Sequence, residues 1–205
     1  MSRKAYSEEE RERLRKQLLS ITLKSIIERG VVHSSINYLC KELGISKTFF
    51  YSFYSSKEEL ILDAIRYQQP KLIAFAEALM ADEKQSWLEA LEVFLRRCCE
   101  GSQNDIAVLS IEDEQEVYKC LSEDNFKAFQ QDQLVFYKKI MEIFTISTDN
   151  INPKLFGNMV LAMIMTYKAI PNTMPFLFSD VADEMVEFQL QAILAAAVKS
   201  KAENS

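Results

Sequence analysis

Apolar residues return at three- and four-residue steps along almost the whole chain, the period of one face of an α-helix. Ser7, followed three residues later by Glu10, has the spacing of a capping box. Leu14, Leu18, Ile21, Ser25 and Ile26 then mark one helix face, and Gly30 is placed to end it. A shorter helix carries Ile36, Leu39, Cys40 and Leu43 on its stripe. Either Ser34 or Ser35 can cap it, and Gly44 closes it with a tight turn. Ser46 caps a third helix, with Lys47 to Phe53 making about two turns. Ser56 caps a fourth, spanning Lys57 to Met80, with Glu58 and Glu59 favoured by the helix dipole in its first turn. Pro70 lies inside that helix, where it removes a backbone hydrogen bond and predicts a kink.

The same period continues beyond. Trp87, Leu91, Phe94 and Cys98 lie on one helix ending near Gly101, and an acidic helix is expected from Asp105 to Lys119. Ser122 caps a strong helix whose face is Phe126, Phe129, Gln133, Phe136, Ile140 and Phe144. Two more follow, over about 153–170 and 180–199, parted by a loop with Pro171 and Pro175. The expected fold is therefore all-α, with about nine helices.

Composition agrees. Gly and Pro number four each in 205 residues, far fewer than turn-rich β folds or glycine phosphate loops need. No apolar run reaches the roughly 18 residues of a membrane span. Residues 1–20, rich in Arg, Lys and Glu, do not read as a secretory signal, so a cytoplasmic, nucleoid-associated protein is expected. Cys40, Cys98, Cys99 and Cys120 form neither a CxxC pair nor a zinc spacing and are expected to be free thiols. Adjacent Cys98 and Cys99 suit either an oxidant sensor or buried packing.

Net charge changes the picture more. Of 24 Lys and Arg, 11 fall within residues 1–57, against only six of the 30 Asp and Glu. A basic head on an acidic body points to a polyanion met by the head alone. The first three helices supply a device for it. Two short helices joined at Gly44 after a longer one have the proportions of a helix-turn-helix, over about 34–53, whose last helix enters the major groove.

The stretch Ser34-Ser35-Ile36-x-x-Leu39-Cys40-x-x-Leu43-Gly44-Ile45-Ser46-x-x-x-Phe50-Tyr51-x-x-Tyr54-x-Ser56-Lys57-x-x-Leu60 resembles the DNA-binding signature of TetR-type regulators. The resemblance covers about the first third of the chain. It implies a DNA-binding domain over 7–67 and a helical ligand-binding and dimerisation domain over 68–205. It implies phosphate contacts from Tyr51 and Lys57, and base or phosphate contacts from Lys47, Thr48, Phe49 and Ser52. Ser34, Ser35 and Ser46, at helix starts, join that set of DNA-binding candidates. Three departures stand out. Thr48 replaces a common glycine, and Phe49 replaces a small residue, which leaves either a groove contact or a packing role for its ring. Phe53 and Tyr54 invert the usual Tyr-Phe order, so a buried Tyr54 hydroxyl needs a partner. The charged run from Glu8 to Lys16 pairs as an ordinary exposed helix and is not assigned to DNA, while Arg3 and Lys4 in the terminal arm are within reach of a groove.

In the acidic body, the helices over about 153–170 and 180–199 are apolar on more than one face, which suits pairing with a symmetry mate or a core within one chain. Val181, Met185, Phe188, Ala192 and Ala195 form one stripe, and Ile193, Ala197 and Val198 another. A homodimer reading pseudo-palindromic operator DNA is expected, since one short helix makes few contacts. Phe126, Phe129, Phe136, Met159 and Met163, with Met165 and Met174, are candidates for a deformable pocket taking a small apolar or amphipathic inducer. Pro70 is the candidate hinge. The run Glu112, Asp113, Glu114 and Glu116 suits a cation or, more simply, a solvated surface. With His33 the only histidine, and no nucleophile elbow, phosphate loop or ligand cluster, no enzyme, cofactor or metal site is expected. The expected function is a repressor released from its operator by an inducer. The alternative is a helical adaptor of the same fold acting on protein partners.

Overall fold

Side-chain caps set the starts of most helices. A serine hydroxyl accepts the backbone N–H three residues on at Ser7, Ser35, Ser46, Ser86 and Ser110. At Ser7 and Ser86 the glutamate at the third helical position reaches back to complete a capping box. The computed structural model describes residues 6–101, 106–170 and 177–201. Arg3, Lys4, Asp105, Pro171, Met174 and Pro175 lie outside the described residues. Among those described there are nine α-helices and no strand, as the all-α reading expects. They are α1 (Glu8–His33), α2 (Ile36–Leu43), α3 (Lys47–Phe50), α4 (Lys57–Met80) and α5 (Trp87–Cys99). There follow α6 (Ile111–Lys119), α7 (Glu123–Ile143), α8 (Pro153–Ala169) and α9 (Ala182–Lys199), the last preceded by a 3-10 turn at Ser179–Val181.

Three boundaries differ from the sequence reading. Gly30 interrupts α1 at φ 75° and ψ 173°, a backbone region that glycine enters freely, but helical bonding resumes to His33. The third helix is shorter than two turns. The Ser52 hydroxyl donates to the Phe49 carbonyl at 2.7 Å, and Ser52 N and Phe53 N bond three residues back, so the coil tightens past Phe50. The acidic helix begins at Ile111, after the Ser110 cap. α4 continues through Pro70 as one helix.

The chain divides into two compact units, Met1–Gln68 with Asp105–Glu123, and Gln69–Asn104 with Asp124–Ser205. The division expected at 67/68 thus falls one residue later, and the segment holding α6, expected in the body, belongs to the first unit. Two buried polar ties account for this. The Gln68 amide donates to Ala107 O at 2.8 Å and accepts from Ala107 N at 3.0 Å. Asp113 accepts from Val31 N at 3.0 Å.

Leu18, Leu19, Leu39, Cys40, Phe50, Tyr54, Leu60 and Ala64 fill the core of the first unit, so α1 to α4 all contribute to it. In the second unit α5, α8 and α9 pack on one another, and the Phe94 ring lies between those of Phe75 and Phe144 at 6.1 and 5.4 Å. Gly157 of α8 has a constraint of its own. A Cβ there would meet the Tyr137 ring at 2.5 Å, and ring atoms next to the backbone cannot swing aside. Gly157→Ala is therefore expected to destabilise the protein by about 1–3 kcal/mol despite alanine's better helix propensity. Urea denaturation checks the sign, and a gain in stability would contradict this packing.

Candidate nucleic-acid interface

The helix-turn-helix is built on Gly44 and Phe50. Gly44 takes the left-handed conformation, φ 71° and ψ 29°, and its N–H caps α2 on the Cys40 and Lys41 carbonyls. This turns α3 so that Phe50 is fully buried against Leu39, Leu18 and Leu60. With that one ring fixed inside, the helical period leaves Lys47, Thr48, Tyr51 and Ser52 exposed. Tyr51 is 53% exposed and packs edge-on against Phe50 at 5.3 Å. Ser46 and Ser35 are exposed, with their oxygens accepting Phe49 N at 3.1 Å and Tyr38 N at 3.2 Å.

Two candidates are placed differently. Ser34 is fully buried: its hydroxyl donates to Gly30 O at 2.7 Å and faces Ser25 Oγ at 2.7 Å. It cannot reach a phosphate, and Ser35 alone caps α2. Phe49 is half-buried and packs in an aromatic cluster, its centroid 4.5 Å from Tyr6 and 5.0 Å from Phe53. Lys57, half-buried, donates from Nζ to Val31 O at 3.1 Å and so ties the start of α4 to the end of α1.

The inverted aromatic pair is explained by a partner that its local pattern does not reveal. Tyr54 is buried and its hydroxyl donates to Asp63 Oδ2 at 2.5 Å. Arg15 donates to the same oxygen at 2.6 Å. Burial, and then the hydrogen bond to Asp63, push the Tyr54 phenol well above its ordinary value. It therefore remains a neutral donor at any physiological pH. Within the acidic run, Glu112 and Glu116 are exposed, while Asp113 is buried at the break in α1.

In the second unit, Phe129 and Met163 are buried, whereas Phe126, Phe136, Met159 and Met165 are half-buried. Cys98 and Cys99 are buried free thiols. Burial pushes them up to about 12 and about 11 respectively, so neither offers a thiolate near neutral pH. On α9 the two apolar stripes have different fates. Ile193 and Ala197 are buried, while Met185, Phe188, Ala192 and Ala195 are exposed, Phe188 by 75%. Val198, on the second stripe, is exposed as well. Among the described residues, no three His, Cys, Asp or Glu side chains are grouped to hold a metal ion. No described helix is long and apolar enough to cross a membrane.

No protein-family model matches the chain, and no curated protein matches it. Among solved structures it is similar to a TetR-family transcriptional regulator from Pectobacterium atrosepticum, at 15% identity and a TM-score of 0.50 over 93% of each chain. It is also similar to a TetR/AcrR-family regulator from Thermobifida fusca, at 18% identity and a TM-score of 0.41, over 88% of this chain and 96% of that one. A TetR-like regulator from a Rhodococcus species gives 17% identity and a TM-score of 0.41, over 95% and 97%. The first likeness shows that the chain has the all-helical fold of that regulator.

The Tyr54–Asp63 contact predicts a pH dependence. Above the ordinary tyrosine value of 10.0 the unfolded chain loses this proton while the folded chain keeps it, so its contribution falls as pH rises through the alkaline range. Tyr54→Phe is expected to cost about 1–2 kcal/mol at pH 7 and to make stability decline less steeply above pH 10. Urea melts from pH 7 to 11.5 read both effects, and parallel curves for the two proteins would contradict the assignment.

Proposed function

From the shared fold and the exposed face of α3, we propose that the chain is a sequence-specific DNA-binding transcriptional regulator of the TetR type. The observation that carries this reading is the division around Phe50. One ring anchors α3 in the core, and Lys47, Thr48, Tyr51 and Ser52 stand together on its outer side. Lysine and threonine can bond base edges in the major groove. Tyr51, and the hydroxyls of Ser35, Ser46 and Ser52, can donate to phosphates. Lys57 spends one of its three donors on Val31 and has two more for a phosphate at the start of α4.

The assembly is a homodimer joined through α8 and α9. The exposed stripe of Met185, Phe188, Ala192 and Ala195, with Leu155 of α8 54% exposed, supports it. Two heads then read a pseudo-palindromic operator. Regulation is repression relieved by a small apolar or amphipathic inducer in the second unit, near Phe126, Phe129, Phe136, Met159 and Met163. Pro70 of α4 is the hinge in that response. Pro70→Ala is expected to alter operator affinity or inducer response, and no change in either removes the hinge.

Fluorescence anisotropy with duplex DNA from upstream of the protein's own coding region tests the function. Binding should weaken with salt at a log–log slope of about −0.9 for each phosphate contacted. Tyr51→Phe should weaken all sequences alike, Lys47→Ala should change base preference, and Phe188→Asp should yield monomers that bind poorly. Absent or salt-insensitive binding would favour the helical adaptor instead.

A further inference from the structure

Arg11 occupies a position that its place in a run of alternating charges does not suggest. Its guanidinium lies over the Phe53 ring, 4.8 Å from the centroid, and 5.6 Å from that of Phe49. One of its nitrogens is 3.5 Å from the Ser52 carbonyl, at the long limit for a hydrogen bond. Phe49 in turn packs on Tyr6 at 4.5 Å. Of the neighbouring carboxylates, Glu10 accepts from Ser7 N at 2.8 Å, and Glu12 faces Arg15 and Lys16 at 3.6 and 3.8 Å. Among the described residues Arg11 forms no ion pair, in contrast to Arg15, which pairs with Asp63 at 2.6 Å.

We infer that Arg11 is a phosphate-binding residue of the DNA interface, pre-positioned by the rings of Phe53 and Phe49 beside the exposed Ser52. This rests on the proposed function and extends its contact surface from α3 to α1. Three physical points carry it. A guanidinium held over the Phe53 ring still has N–H donors to offer to a phosphate. Stacking restricts the side chain before DNA arrives, so less conformational freedom is lost on binding. Phe53 has no hydroxyl to donate, and the cation held on its face places a charged donor at that same spot. The Tyr6–Phe49–Phe53 cluster, tilted at its first pair and T-shaped at its second, is thus a platform for Arg11.

Binding of a mixed-sequence 30-base-pair duplex and of the upstream duplex, each measured across salt concentration for parent, Arg11→Gln and Arg11→Lys proteins, tests this. Arg11→Gln is expected to bind about tenfold more weakly at low salt, with a slope shallower by about 0.9 per head, on both duplexes. Arg11→Lys keeps the charge and should retain the slope while losing part of the affinity, because an ammonium does not stack or bond in two places. A parent protein that binds with Arg11→Gln unchanged in both affinity and slope overturns the Arg11 assignment alone. A changed melting temperature with an unchanged slope also overturns it, leaving Arg11 a packing residue. A parent that binds neither duplex at low salt overturns the DNA-binding reading itself, and this inference with it.

Discussion

Asp63 Oδ2 accepts from Arg15 of α1 and from Tyr54 just beyond α3. One carboxylate oxygen on α4 therefore joins three pieces of backbone around α3. Removing either donor leaves the other in place, but removing the carboxylate strands a half-buried cation and a buried hydroxyl together. The outward face of α3 is only as well defined as this junction and the Phe50 ring beneath it. The aim of the exposed side chains depends on the backbone that carries them.

The same junction explains why the aromatic pair runs Phe53-Tyr54. A tyrosine pointing inward is tolerated only where a polar group meets its hydroxyl, and Asp63 meets it. The outward position then holds a ring without a donor, and Arg11 lies on that ring. This one departure from the TetR-type pattern thus has two consequences, at Tyr54 and at Phe53. A second junction lies at the break in α1. Val31 gives its N–H to Asp113, and its carbonyl accepts from both Lys57 and Ser34 N. Through Asp113, α6 is tied to the backbone next to α2, although its sequence lies far downstream.

Local chemistry made most of the fold legible. Serine caps, the glycine at Gly44, and stripes such as Ile36, Leu39, Cys40 and Leu43 act within one or two turns, and a sequence displays such spacings directly. The exposed residues Lys47, Thr48, Tyr51 and Ser52 were singled out by the resemblance and not by periodicity. What was hidden depends on distance along the chain. Arg15 and Asp63 are 48 residues apart, and Val31 and Asp113 are 82 apart, so no local pattern pairs them. Arg11 was obscured by its own neighbours, because the alternating charges read as an ordinary exposed helix, whereas the structure sets its guanidinium over the Phe53 ring. Ser34 and Ser35 differ only in which of two adjacent hydroxyls faces inward, and the break at Gly30 decides it. The joining of α6 to the first unit required knowing that Gln68 clasps Ala107.

Hydroxyl-radical footprinting of the purified protein on the DNA upstream of its own coding region tests the central claim most directly. A groove-reading dimer protects two patches on one side of the duplex, separated by about one helical turn or a multiple of it, and Lys47→Ala alters protection at the centre of each patch. Uniform cleavage along the whole fragment at low salt would contradict the account.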